Sequence, residues 1–205
     1  MKRQDKQRLW IGLTIAVVLI IDQAVKFYIK LNFRLDEQVE LLPFLKICFV
    51  ENPGMAFGME WLPKWTLTLL RIILVVFLAW YLHRLLKQKT VRTGYLVTLS
   101  LIIAGAVGNI IDCLFYGIIF DQSTFTSVAT LFPADGGYGS FFCGKVVDMI
   151  QLPLINNAAG DVVFFRPVFN IADAAITTAV FMLILFFRKD MDSSLNTKED
   201  PSATL

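Results

Sequence analysis

The chain has 205 residues, 56% of them hydrophobic and 18% charged, with a mean hydropathy of +0.63. A soluble domain hides apolar side chains behind a polar shell; this composition cannot supply one, so lipid is the expected solvent. The net charge of +2, with no Lys/Arg run interleaved with aromatics, excludes a nucleic-acid partner from the expectations.

Leu9–Ile21 is an unbroken apolar run that resumes through Tyr28. No small-x-small cleavage motif follows, and Asp22 and Lys26 continue on a helical spacing, so a retained first span is predicted over about 9–29. The loop 30–64 alternates at Val39–Glu40–Leu41 and Leu45–Lys46–Ile47–Cys48–Phe49 and carries the turn signal Asn52–Pro53–Gly54. It predicts a small β-sheet lying on the membrane. Further spans are predicted over 65–86, 95–116 and 169–187, each near the ~20 residues that cross ~30 Å of hydrocarbon. The loop 117–168 is rich in glycine and aromatics (Phe120, Phe125, Phe132, Tyr138, Phe141, Phe142), which suit the headgroup interface. Residues 190–205 read as a polar, disordered tail.

The basic residues fix the expected orientation. Lys2, Arg3, Lys6 and Arg8 precede the first span; Arg84, Lys87, Lys89 and Arg92 lie between the second and third; Arg188 and Lys189 follow the fourth. Both termini are therefore expected in the cytoplasm, with 30–64 and 117–168 outside. Three cysteines without CxxC spacing and one histidine do not make a structural zinc site, and no metal is expected. Cys48 and Cys143 fall in the two outer loops, where free thiols are the expectation. No internal repeat supports an inverted-repeat transporter.

Charges at membrane depth cost at least ~2.5–3.5 kcal/mol each, so they need a reason to persist. Asp22 and Lys26 stand at i,i+4 and can neutralise each other. Gly105, Gly108, Asn109 and Asp112 share one helical face, where the glycines and Asn109 read as a packing seam and Asp112 does not. Asn170 with Asp173 resembles a capping box. Asp148 sits alone inside Val146–Val147–Asp148–Met149–Ile150. Two carboxylates brought together in low dielectric can share one proton, and the pair then offers a base for water and an acid for a carbonyl. That is aspartic-protease chemistry, with no cofactor required.

Five segments in order then resemble lipoprotein signal peptidase (signal peptidase II): Asp22–Gln23–Ala24–Val25–Lys26, Glu51–Asn52–Pro53–Gly54–Met55–Ala56–Phe57–Gly58, Gly105–Ala106–Val107–Gly108–Asn109–Ile110–Ile111–Asp112, Val146–Val147–Asp148–Met149–Ile150 and Phe169–Asn170–Ile171–Ala172–Asp173. The resemblance spans roughly residues 9–187. It implies an all-α integral membrane protein of four transmembrane helices with a small extracytoplasmic β-cradle, one peptidase domain over 1–189, in the bacterial inner membrane. It implies an aspartic endopeptidase that cuts diacylglyceryl-modified prolipoproteins on the amino side of the lipidated cysteine. Asp148 and Asp173 would be the catalytic pair. Asp22, Lys26, Asn52, Gly54, Gly108, Asn109, Asp112 and Asn170 would bind substrate or support the pair. Membrane lipid, globomycin-type peptide inhibitors and a monomeric state are also implied. Two departures stand out. Cys113 occupies the place where the family usually carries Arg, so that guanidinium's role is missing or has moved to Arg71, Lys145 or Lys26. The stretch from Gly117 to Lys145 is also long, and reads as a lid or as a tolerated interfacial insertion. A small transporter or channel using Asp22, Lys26 and Asp112, and a non-catalytic lipoprotein-binding relative, are the alternatives.

Overall fold

The computed structural model describes residues 2–53, 64–88, 90–153, 155–156, 162–164 and 167–196. Its helices are α1 (Arg3–Asn32), α2 (Lys64–Leu86), α3 (Thr93–Ile111), α4 (Gly117–Ile119), α5 (Ile171–Phe186) and α6 (Arg188–Asn196), and a π-helical turn, Asp112–Tyr116, joins α3 to α4. The strands are β1 (Gln38–Leu42), β2 (Leu45–Asn52), β3 (Val146–Gln151), β4 (Ile155–Asn156), β5 (Val162–Phe164) and β6 (Val168–Phe169).

Among the described residues, three helices are long and apolar enough to cross a membrane: α1, α2, and α3 continued through Ile119 as one 27-residue segment. The fourth expected span is shorter. α5 has 16 residues, about 24 Å at ~1.5 Å per residue, and the chain then bends by 83° into α6. The bend follows from Phe187, whose backbone (φ −122°, ψ 13°) leaves the helical region. α3 is the central helix, with 67% of its apolar window buried against 11% for α1 and for α2. Leu70 and Val76 on α2 and Phe181 and Leu185 on α5 are exposed, which places the apolar faces where lipid is the solvent.

α5 lies close against α3 because α3 carries glycine at the crossing. A Cβ on Gly105 would stand 2.4 Å from the Ala172 carbonyl oxygen, and one on Gly108 would stand 2.7 Å from Oδ2 of Asp22. The expected small-residue seam is therefore present.

The sheet draws strands from both long loops, the one after α1 and the one after α4. Its order is β1-β2-β3-β6, antiparallel throughout, with Val50 opposite Asp148 and Asn52 opposite Val146. Along β3 the side chains alternate. Val147 and Met149 join Ile29, Phe49, Tyr116 and Phe120 in an apolar core, which turns Asp148 to the other face.

The segment 120–145 is ordered and folds back on the end of α3. Phe120 bridges to Leu131. The amides of Gly139 and Gly144 donate to the carbonyls of Gly117 and Cys113 at 2.8 and 2.9 Å. A π-helical turn frees carbonyls that an α-helix would use internally, and Cys113 spends one of them here. Phe125 is 68% exposed, Phe132 73% and Phe141 49%, and Phe141 lies edge-on to the exposed Phe115 of the third span. Phe132 sits at φ +51°, a left-handed backbone that a bulky residue rarely holds. Phe141 thus extends the exposed apolar face of the third span, and Phe125 and Phe132 add two further exposed rings, suited to an apolar solvent. A photo-reactive phenylalanine analogue at position 125, 132 or 141 is expected to give phospholipid adducts in proteoliposomes; crosslinks only to protein or water would contradict that placement.

The tail differs from expectation over its first part. Residues 188–196 form α6, and the Ser194 hydroxyl lies 3.5 Å from that of Tyr95, which lies 3.1 Å from that of Tyr81. This half-buried hydroxyl contact with α2 and α3 orders a polar segment that hydropathy alone reads as free. Residues 197–205 lie outside the described residues. The cysteines are free thiols, as expected for Cys48 and Cys143.

Candidate active site

α1 brings Asp22 and Lys26 to α3 one helical turn apart, both fully buried. They do more than neutralise each other. Lys26 Nζ lies 2.9 Å from Asp22 and 2.9 Å from Asp112, and donates to Asn109 Oδ1 at 2.9 Å. An ammonium has three protons, and each has an acceptor. Gln23 closes the cluster, its amide donating to Asp112 Oδ1 at 3.0 Å and to Asp22 Oδ2 at 3.1 Å. Tyr116 in turn donates to Gln23 Oε1 at 3.1 Å.

The contact with Lys26 orients Asn109. Lysine can only donate, so the oxygen of the Asn109 amide must face it and the nitrogen must face away. That nitrogen donates to Asp173 Oδ1 at 2.8 Å. Asp173 sits in the first turn of α5, where Asn170 is the N-cap. The Asp173 amide donates to Asn170 Oδ1 at 2.9 Å, and the Asn170 amide donates back to Asp173 Oδ2 at 3.4 Å. The capping box is thus present, and its side chains also serve the site. Asn170 Nδ2 donates to Asp148 Oδ1 at 2.7 Å and to Asn109 Oδ1 at 3.1 Å. Asn52 Nδ2, from the end of β2, donates to the other Asp148 oxygen at 3.1 Å.

Asp148 and Asp173 are therefore held by one asparagine. Asp148 is 2% exposed, and its carboxyl is raised to about 7, first by burial and then by the charge of Asp173. The amides of Asn52 and Asn170 pull the other way and do not win. A carboxyl that titrates near neutrality beside a second carboxylate can hold the pair's proton.

The supporting carboxylates grip the backbone next to each member of this pair. Asp112 Oδ2 accepts from the Val147 amide at 3.2 Å, one residue before Asp148. Asp22 Oδ1 accepts from the Ala172 amide at 2.9 Å, one residue before Asp173. Lys26 joins those two carboxylates, so a single ammonium ties together the segments that carry Asp148 and Asp173.

Of the residues singled out in the sequence, Asp22, Lys26, Asn52, Gly108, Asn109, Asp112, Asp148, Asn170 and Asp173 converge here. Gly54 lies outside the described residues. Arg71 reaches Cys113, with Nη1 3.5 Å from its Sγ. Lys145 goes instead to Glu51 at 2.7 Å. Gln23 and Tyr116 were not singled out; a glutamine inside an apolar span beside Asp22 is the signal that marked the first.

The model of the Signal peptidase (SPase) II family matches residues 14–188. The chain belongs to the signal peptidase II family. The lipoprotein signal peptidase of Porphyromonas gingivalis is 39% identical over 194 residues, covering 90% of this chain and 85% of that one. That of Amoebophilus asiaticus is 30% identical over 213 residues, covering 97% and 86%. Among solved structures, a bacterial membrane enzyme determined by the in meso method superposes with a TM-score of 0.60 at 27% identity, over 92% of each chain. A second of the same description gives 0.58 at 28% identity, over 88% of this chain and 93% of that one. The chain is accordingly a membrane-embedded protease of this family, residing in the bacterial inner membrane.

Proposed function

We propose that Asp148 and Asp173 are the catalytic dyad of an aspartic endopeptidase that removes signal peptides from diacylglyceryl-modified prolipoproteins, on the amino side of the lipidated cysteine. The observation that carries the assignment is the shared grip of Asn170 and Asn109 on two carboxyls, one of them raised to about 7. With Asp148 protonated and Asp173 ionised, the pair holds one proton. Its ionised member takes a proton from water as the water attacks the scissile carbonyl, and its protonated member gives one to the carbonyl oxygen. The amine then leaves with a proton as the intermediate collapses. Asn52, Asn109 and Asn170 fix the carboxyl planes; Asp22, Lys26, Gly108 and Asp112 hold the helices and strand that carry them.

A lipidated substrate partitions into the bilayer, so its cleavage site waits at the interface, where the sheet meets the helices. The basic flanks of the spans favour cytoplasmic termini and a dyad near the outer face. One chain supplies every group of the dyad and its support, consistent with a monomer, and globomycin-type peptides would occupy the same groove. Purified protein in liposomes should release the signal peptide from a diacylglyceryl prolipoprotein and leave the unlipidated precursor uncut. Equal cutting of both would remove the lipid requirement, and solute flux without cleavage would favour the transporter reading.

The pH dependence has a definite sign. Activity needs the singly protonated pair, so the rate should fall on the alkaline side with a midpoint near pH 7. Stability follows the same group. The folded carboxyl of Asp148 is raised from 3.8 to about 7, so its contribution is full below the unfolded value and is lost as pH rises through the folded one. Thermal midpoints of the parent in detergent should decline between about pH 4 and 7, and that slope should flatten in Asp148→Asn.

A further inference from the structure

A second buried ionic cluster lies beside the dyad and is not part of it. Lys30, one turn beyond Lys26 on α1, is fully buried and pairs with Glu51. It also donates to the Ser123 hydroxyl at 2.8 Å. Three rings surround its ammonium: Tyr138 at 4.9 Å, Phe120 at 5.7 Å and Phe49 at 5.9 Å. Lys145 holds the other Glu51 oxygen at 2.7 Å, and its own amide donates to the Tyr138 hydroxyl at 2.8 Å. The Glu51 carboxyl, 3% exposed, is held below the usual carboxylate range by these two ammonium groups, against the opposing pull of burial.

Ser123, Phe120, Tyr138 and Lys145 all belong to the long segment after α3, whereas Glu51 immediately precedes Asn52 at the end of β2. Asn52 hydrogen-bonds Asp148 across the β2–β3 pair, in register with Glu51 opposite Val147. The end of a strand is where a ladder frays most readily. Here that end is pinned by two ammonium groups, one from α1 and one from the segment leading into β3.

We propose that Glu51 is a positioning residue. Clamped by Lys30 and Lys145 under a cover supplied by residues 120–145, it fixes the end of β2 so that the Asn52 amide stays on Asp148. The long segment then has a specific task, since it excludes water from a charge cluster that sets one hydrogen bond of the dyad. The idea rests on the dyad assignment above.

The test uses the full chain in liposomes with diacylglyceryl prolipoprotein as substrate. In Glu51→Gln and in Lys30→Met, kcat per folded enzyme should fall about tenfold, the scale of one lost hydrogen bond to a charged group. KM should stay within about twofold, because no substrate contact is removed. The alkaline limb should also move to higher pH. Asp148 is faced by Asp173 from α5, Lys26 from α1, and the amides of Asn52 and Asn170; removing the Asn52 amide takes away a donor that favours the ionised form. A purely structural role would lower the amount of folded enzyme and leave the limb in place. The double variant Lys30→Met with Glu51→Leu replaces a buried pair by apolar volume, which folded proteins tolerate. It should fold and keep both the lower kcat and the shifted limb. An unmoved limb with normal kcat in the folded variants overturns the proposal. Asp148→Asn run in parallel separates the two readings: if it stays active, the dyad assignment has failed, and if it is inactive while Glu51→Gln behaves as the parent, only the positioning role has failed.

Discussion

Asp148→Asn and Asp173→Asn should each lower kcat for prolipoprotein cleavage by about 10³-fold or more, with substrate binding retained. Positioned acid–base groups contribute ~10²–10⁴-fold each, and here the two are one unit, because a single proton serves both steps. The double variant should therefore be little worse than either single one, as expected for residues that act together. Asparagine keeps the volume and part of the hydrogen bonding, so the fold should survive. At Asp148 the incoming NH₂ must face one of two amide donors, Asn52 or Asn170, and one hydrogen bond is lost. At Asp173 the Asn109 amide or the cap loses its acceptor. Turnover is read by mass spectrometry of the released peptide, and folding by thermal midpoint in the same detergent. Full turnover by either folded single variant would sink the dyad.

The spans were legible because hydropathy is a local property: a run such as Leu9–Ile21 needs no knowledge of its neighbours. Asp22, Lys26 and Asp112 were legible as anomalies for the same reason, being charges in apolar company. Their partners were not. An i,i+4 pair suggests that Asp22 and Lys26 satisfy each other, yet Lys26 divides its protons among three acceptors on two helices, and Asp22 spends an oxygen on the backbone of α5. Lys30 continues the spacing of Asp22 and Lys26, and that four-residue rhythm was a signal that the face stays polar for a further turn. Nothing local reveals that Glu51 waits opposite. Asn170 and Asp173 read as a cap, and they are one; that a cap can also aim its spare donor at Asp148 depends on β3 lying alongside, which only the folded chain decides. α6 was missed because a polar sequence of low hydropathy is ordered here by tertiary contacts at Tyr81 and Tyr95.

Lys26→Met should be the most damaging single change outside the dyad. It removes the ammonium between Asp22 and Asp112, two fully buried carboxylates. Breaking a buried ion pair by deleting one partner costs ~3–5 kcal/mol, because the remaining charge stays in low dielectric; set against a typical total of ~5–15 kcal/mol, that is a large share. The loss also propagates to the chemistry. Without the ammonium, the Asn109 oxygen keeps only the Asn170 amide as donor, so the amide that holds Asp173 is less firmly fixed. With Asp22 and Asp112 repelling each other, the grips on Ala172 and Val147 loosen, and these residues directly precede Asp173 and Asp148. The thermal midpoint should therefore fall sharply, and cleavage should fall beyond the loss of folded enzyme. Lys26→Arg should rescue poorly, since a planar fork cannot direct its donors to three acceptors as a tetrahedral ammonium does. Removing the stranded charges, as Asp22→Asn and Asp112→Asn together with Lys26→Met, should recover much of the midpoint, because neutral amides tolerate the vacancy. It should not recover activity, because nothing then ties the two dyad-bearing segments at fixed separation. Recovery of both would reduce Lys26 to a counter-ion; recovery of the midpoint alone identifies it as the strut that keeps Asp148 and Asp173 in register.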